Sequence, residues 1–232
     1  MNLNANAPAA ILWDMDGTLI DSEPYWIQAE IALCSDHGVT WTHQDGLTII
    51  GSPLETSAEV IRSRGVDLPI AEIIQRLLDE VSTRVRKAAP WQEDARRLLD
   101  RVIAAEIPCA LVTMSYQQLA DALVEQIPVF DAVVTGDMVT NGKPHPESYL
   151  RAAEILGIPI ERCLAIEDSR PGVASAYASG ARTVAVRRLS VIDPIEGLSR
   201  VTSLDSLTDE VIVQIMGGAV IDELIESPPP PA

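Results

Sequence analysis

Ala10-Ile11-Leu12-Trp13-Asp14-Met15-Asp16-Gly17-Thr18-Leu19 joins four consecutive apolar residues to two carboxylates and a glycine. A short apolar run bounded by turn residues reads as a strand buried on both faces. The polar residues after it then sit at the strand's carboxyl end. Four similar runs follow: Cys109 to Val112, ending at Thr113; Ala132 to Val134, ending near Thr135-Gly136-Asp137; Cys163 to Ile166, ending at Glu167-Asp168; and Thr183 to Val186.

From the second run onward, helical patterns alternate with the strands. They span 116–126, 146–156 with Gly157 just beyond, and 172–179 closed by Gly180. Proline in the first turn and glycine past the last fit helix boundaries. Strand–helix alternation predicts an α/β fold with a doubly wound parallel sheet. Residues 23–89 break the rhythm. They carry helical spacing (Trp26, Ala29, Ile31, Leu33, then Ile70 to Val85) and no strand, which predicts an inserted helical cap. The expected division is a core of 1–22 and 90–225, a cap of 23–89, and a flexible proline-rich tail at 226–232. No internal repeat is present.

Composition limits the partners. The 232 residues carry 34 acidic and 17 basic side chains, a formal net charge of −17, which argues against nucleic acid or an anionic membrane. It leaves room for a phosphorylated small molecule, because one metal ion and one lysine can reverse the field in a cleft. Aromatic residues make up only 4%, so alanine and branched aliphatics must fill the core. Cys34, Cys109 and Cys163 form no C-x-x-C pair and read as reduced, buried thiols. No secretion signal or membrane span is expected, and the expected location is cytoplasmic.

The polar residues gather at strand ends, the edge where open parallel sheets bind ligands. Asp14 and Asp16 offer two carboxylates two residues apart. One can attack phosphorus, and the other can protonate the leaving oxygen and later activate water. Taken alone, Asp-x-Asp-Gly is also an ordinary turn sequence. Glu167 and Asp168 leave a buried strand together, which is costly without a compensating charge. A hard divalent cation, magnesium, would supply it, with Asp168 as direct ligand and Glu167 acting through water; taken alone, the two also read as a solvated loop pair. Lys143 and Arg151 are the only lysine or arginine residues between 104 and 160. Arg151 falls inside a helix pattern, so Lys143 is the candidate to neutralise Asp14 and hold a phosphate oxygen. The Thr113 hydroxyl, with backbone N–H groups of Met114 and Ser115, completes a phosphate-binding set. Capping of the following helix is the simpler role for Thr113 or Ser115.

Together these clusters resemble the haloacid dehalogenase-like hydrolase superfamily. Asp14-Met15-Asp16-Gly17-Thr18-Leu19 matches its first motif, Thr113 the second, Lys143 the third and Glu167-Asp168 the fourth. The stretches 135–147 and 166–173 look like its small phosphatases and β-phosphoglucomutase-like enzymes. The resemblance implies a Rossmann-like core with an α-helical cap inserted after the first motif. It implies Asp14 as nucleophile and Asp16 as general acid/base. It also implies magnesium on the Asp14 carboxylate, the Asp16 backbone carbonyl and Asp168.

The expected activity is magnesium-dependent hydrolysis of a small organic phosphate, such as a sugar phosphate, through an aspartyl phosphate. A phosphomutase is the alternative. Trp26 counts against it, since mutase-like sequences tend to carry histidine there. Asp16 disfavours a dehalogenase or phosphonate hydrolase, and the full set of charged residues disfavours a non-catalytic binding module. The expected working unit is a monomer or weak homodimer. Substrate identity is not legible, although Gly51-Ser52-Pro53 suggests a loop in the cap. The three histidines and Trp13, Trp41 and Trp91 are assigned no chemistry.

Overall fold

The structure, a computed structural model, describes residues 7–50 and 52–224. Gly51 and the expected tail at 226–232 lie outside the described residues. In chain order the elements are β1 (Ala10–Trp13), α1 (Glu23–Asp36), α2 (His43–Leu47), α3 (Leu54–Ser63), α4 (Ile70–Lys87), α5 (Glu93–Ala104), β2 (Cys109–Val112), α6 (Gln117–Val124), β3 (Ala132–Val134), α7 (Glu147–Leu156), β4 (Cys163–Glu167), α8 (Arg170–Ser179), β5 (Arg182–Val186), β6 (Ser199–Val201) and α9 (Asp209–Met216).

The strands form one sheet of order β3-β2-β1-β4-β5-β6, parallel throughout. The first and fourth apolar runs are buried at every position, as a sheet covered on both faces requires. The five expected strands are present. The sixth, β6, was not expected: it is three residues long and centres on Arg200. That arginine is buried because its guanidinium pairs with Asp222 at 2.7 Å and donates to the Ile192 carbonyl at 2.7 Å.

Register brings the site together. Trp13 lies opposite Leu111 on one side and Ile166 on the other. One or two residues further on, Asp14, Thr113 and Glu167 therefore leave the sheet side by side. Behind them the core is rich in small residues: Ala110, Ala132, Ala152, Ala165 and Ala176 pack with Leu12, Val112 and Tyr149. All three cysteines are free and buried.

The chain divides into two compact units. Among the described residues, the sheet unit holds 7–20, 91–117 and 128–224. The second holds 21–50, 52–90 and 118–127. The sequence reading put 118–127 with the sheet. These residues group with the helices instead, because Gln118 bonds Asp79 and Gln75, and Glu125 pairs with Arg86. In the helical unit, α4 buries Ile73, Leu77, Val81 and Val85 along one face. In α1, the helical spacing runs through Trp26 and Ile31, which are only half-buried. The buried residues are Ile27, Ala29, Glu30, Leu33 and Cys34. A buried glutamate on that face is what obscures the pattern. Among the described residues, no helix is long and apolar enough to cross a membrane.

Candidate active site

The site lies at the carboxyl edge of β1, β2 and β4, within the sheet unit. Asp14, Glu167 and Asp168 are buried, and their carboxylates offer oxygens within 4.8 Å of one another. Lys143, reaching in from the loop after β3, stands between two of them. Its Nζ donates to Asp14 Oδ1 at 2.6 Å, Glu167 Oε1 at 2.6 Å and the Val112 carbonyl at 2.9 Å. An ammonium has three donors, so all are engaged. For Lys143 to grip a phosphate oxygen, as expected, one of these bonds must be exchanged. Met114 backs the same loop: its sulfur accepts from the Lys143 backbone N–H at 3.3 Å.

Asp16 is set apart from the carboxylate cluster. Its Oδ2 accepts from Ser115 Oγ at 2.7 Å and Thr113 Oγ1 at 3.3 Å. These bonds differ between the two motif-one carboxylates: Asp14 accepts from an ammonium, and Asp16 accepts from two hydroxyls. The Ser115 backbone N–H, expected to face a phosphate, instead donates to Thr113 Oγ1 at 2.9 Å. The following helix α6 opens at Gln117, one residue later than predicted.

Glu167 has no exposed surface. Oε1 accepts from Lys143 and from the Tyr149 hydroxyl at 2.9 Å. Oε2 accepts from the Asp168 backbone N–H at 3.1 Å and Ser169 Oγ at 3.2 Å. Glycine makes room for it: a Cβ on Gly172 would fall 1.9 Å from Oε1. Asp168 accepts from Thr18 Oγ1 at 2.9 Å. Gly17, at φ +90°, leaves the space that the Asp168 carboxylate fills, where a Cβ would sit 2.3 Å from Oδ2.

These environments move the titrations. Burial, then the Glu167 charge, raises the Asp14 pKa well above the carboxylate range, with Lys143 opposing. Burial and Glu167 push Asp168 up to about 7. Burial works against the Lys143 charge, but Asp14 and Glu167 outweigh it and hold its pKa above the ordinary value. Burial and Glu167 likewise raise the Tyr149 phenol.

Ionised together, these three carboxylates would leave two negative charges uncompensated by the one lysine in a buried space, and the raised pKa values of Asp14 and Asp168 reflect that excess. An all-oxygen donor set with that excess fits a hard divalent cation. It is the only such acidic cluster among the described residues. The sequence pointed to all four of these charged residues. It missed Tyr149, whose only signal was a tyrosine on the inward face of a helix, where a buried hydroxyl needs a partner.

Residues 11–186 match the family described as haloacid dehalogenase-like hydrolase. The chain belongs to this family. Hexitol phosphatase A of Escherichia coli (strain K12) is 31% identical over 215 residues, covering 88% of this chain and 97% of that protein. The structure of CbbY from Rhodobacter sphaeroides in complex with phosphate superimposes with a TM-score of 0.76 at 25% identity, covering 86% of this chain and 96% of that one. A putative β-phosphoglucomutase from Thermotoga maritima gives 0.71 at 25% identity, covering 91% and 99%. The family and its named phosphatase support the phosphohydrolase class expected from the sequence.

Proposed function

We propose that this haloacid dehalogenase-like hydrolase is a magnesium-dependent phosphatase of small organic phosphate monoesters, sugar phosphates foremost. The observation that carries this reading is the split between Asp14 and Asp16. One carboxylate is paired with Lys143 inside an acidic cluster, and the other is held by two hydroxyls.

Asp14 attacks phosphorus, and the bond from phosphorus to the ester oxygen breaks as the aspartyl phosphate forms. Asp16, in its acid form, gives its proton to the leaving alkoxide. The resulting Asp16 carboxylate then takes a proton from the water that attacks the aspartyl phosphate. Inorganic phosphate leaves and Asp14 is restored. Lys143 holds Asp14 as a fixed positive neighbour throughout. Thr113 and Ser115 orient Asp16, and with Met114 they line the place for phosphate oxygens. Magnesium would be held by Asp14, Asp168 and the Asp16 backbone carbonyl, with Glu167 acting through water because both its oxygens already accept protein donors. Bound there, it supplies positive charge that offsets repulsion between carboxylate and phosphate.

Support for a sugar phosphate comes from the hexitol phosphatase relative. The mutase reading draws on the T. maritima structure, and Trp26 weighs against it. The test is phosphate release from a panel of phosphorylated metabolites with magnesium. Asp14→Asn should abolish it, and near-normal turnover in that variant would overturn the mechanism. With β-glucose 1-phosphate and a bisphosphate primer, an isomer formed without free phosphate would favour the mutase.

A further inference from the structure

The Gly17 carbonyl accepts from Arg188 Nε at 3.2 Å and from Gln92 Nε2 at 3.4 Å. Gly17 directly follows Asp16. Its Cα side is closed by the Asp168 carboxylate, which occupies the space of the missing Cβ. The residue after Asp16 is therefore pinned from two sides, by a guanidinium and by a carboxylate of the acidic cluster.

Arg188 is itself fixed. Its two terminal nitrogens donate to Asp94, one to Oδ2 at 3.1 Å and one to Oδ1 at 2.7 Å. The two side chains are only 14% and 10% exposed. Asp94 also accepts from Ser203 Oγ at 2.9 Å, from the Leu204 N–H at 2.8 Å and from the Ala95 N–H at 2.8 Å. Burial works against the Asp94 charge, but these donors, Arg188 first, hold its pKa down at about 2. A bidentate fork of this kind fixes the plane of the guanidinium. The ion pair uses only the terminal nitrogens; Nε is the atom that reaches the loop. Arg188 stands two residues beyond β5, so a fourth strand end contributes to the edge already supplied by β1, β2 and β4.

We propose that Arg188 is a positioning residue for the reaction: anchored on Asp94, it holds the Gly17 carbonyl and so sets where the Asp16 carboxylate meets the leaving oxygen. This rests on the phosphatase reading above. Loss of the hold should impair proton delivery most. Esters with poor leaving groups depend on that proton, and aryl esters with good ones depend on it far less.

The experiment compares kcat/KM, which reports the first bond-breaking step, for para-nitrophenyl phosphate and for an alkyl ester, a hexitol phosphate, with magnesium. Arg188→Lys keeps the charge but loses the fork. It should lower kcat/KM on the alkyl ester by about 10- to 100-fold, as a misplacement near 1 Å does, and on the aryl ester by clearly less. Arg188→Ala should widen the gap. Ser203→Ala removes one donor to Asp94 but leaves it held by the Arg188 fork and the Leu204 and Ala95 N–H groups; it should lower the melting temperature and leave the ratio of the two esters unchanged. Equal losses on both esters in Arg188→Lys, or the same split in Ser203→Ala, would overturn the proposal. If the wild-type chain releases phosphate from no member of the metabolite panel, it is the phosphatase reading that falls, whereas a wild-type chain that turns over both esters with equal losses in Arg188→Lys overturns only the positioning role.

Discussion

Tyr149 donates its phenolic hydrogen to Glu167 Oε1 at 2.9 Å from a ring with no exposed surface. The same oxygen receives Lys143, whose Nζ also lies 5.2 Å from the Tyr149 ring centroid. Glu167 is thus held from two directions, by a helix and by a loop. Tyr149→Phe keeps the ring and removes one donor from a buried charge. The expected loss of stability is about 1.5–3 kcal/mol, the usual range for a hydrogen bond to an ionised group. Denaturant unfolding should show a lower midpoint with an unchanged slope. A loss below about 0.5 kcal/mol, the size of a surface substitution, would mean that Lys143 and the donors to Oε2 fix Glu167 without the phenol.

The acidic cluster predicts a pH-dependent response to metal. Asp168 moves from 3.8 to about 7 on folding, and Asp14 moves in the same direction. A carboxylate whose pKa rises on folding favours the folded chain most below its unfolded value, and that contribution is lost as pH climbs through the folded value. Chelator-treated protein should therefore lose stability from about pH 4 to about pH 7. Magnesium competes with those protons, so its stabilisation should grow over the same interval. Melting temperatures with magnesium and with chelator, measured from about pH 5 to about pH 8, check this. A magnesium-induced shift of the same size at both ends would contradict it.

What the sequence revealed follows from how each residue acts. Asp14, Thr113 and Glu167-Asp168 follow apolar runs, and polar groups leaving a buried strand are conspicuous. Lys143 stood out because so few cations lie near it in sequence. Arg188 did not: it looks like a surface residue after a strand, and its partner Asp94 is 94 positions away. β6 escaped because its buried centre is an arginine rather than an apolar run. The grouping of 118–127 depends on polar contacts from Gln118 and Glu125, which carry no periodic signal. Trp41, read as packing alone, also donates to Glu30.

Glu30 gives the helical unit a titration of its own. It is 5% exposed, accepts from Trp41 Nε1 at 3.1 Å and lies where a Cβ on Gly46 would come within 3.0 Å of Oε2. Burial pushes its pKa from 4.5 up to about 7, with the Trp41 donor opposing. The shift again favours folding below the unfolded value, and the advantage fades as pH rises from about 4.5 to about 7. A shift of that size corresponds to about 3 kcal/mol. Glu30→Gln keeps the shape and an oxygen for Trp41 but has no charge to bury. Its stability should therefore stay flatter across this interval and exceed that of the parent near the upper end. Saturating magnesium should suppress the parallel titration of Asp14 and Asp168, so denaturant unfolding of both proteins under that condition isolates Glu30. Parallel stability curves for the two would mean that Glu30 does not change its charge within this interval.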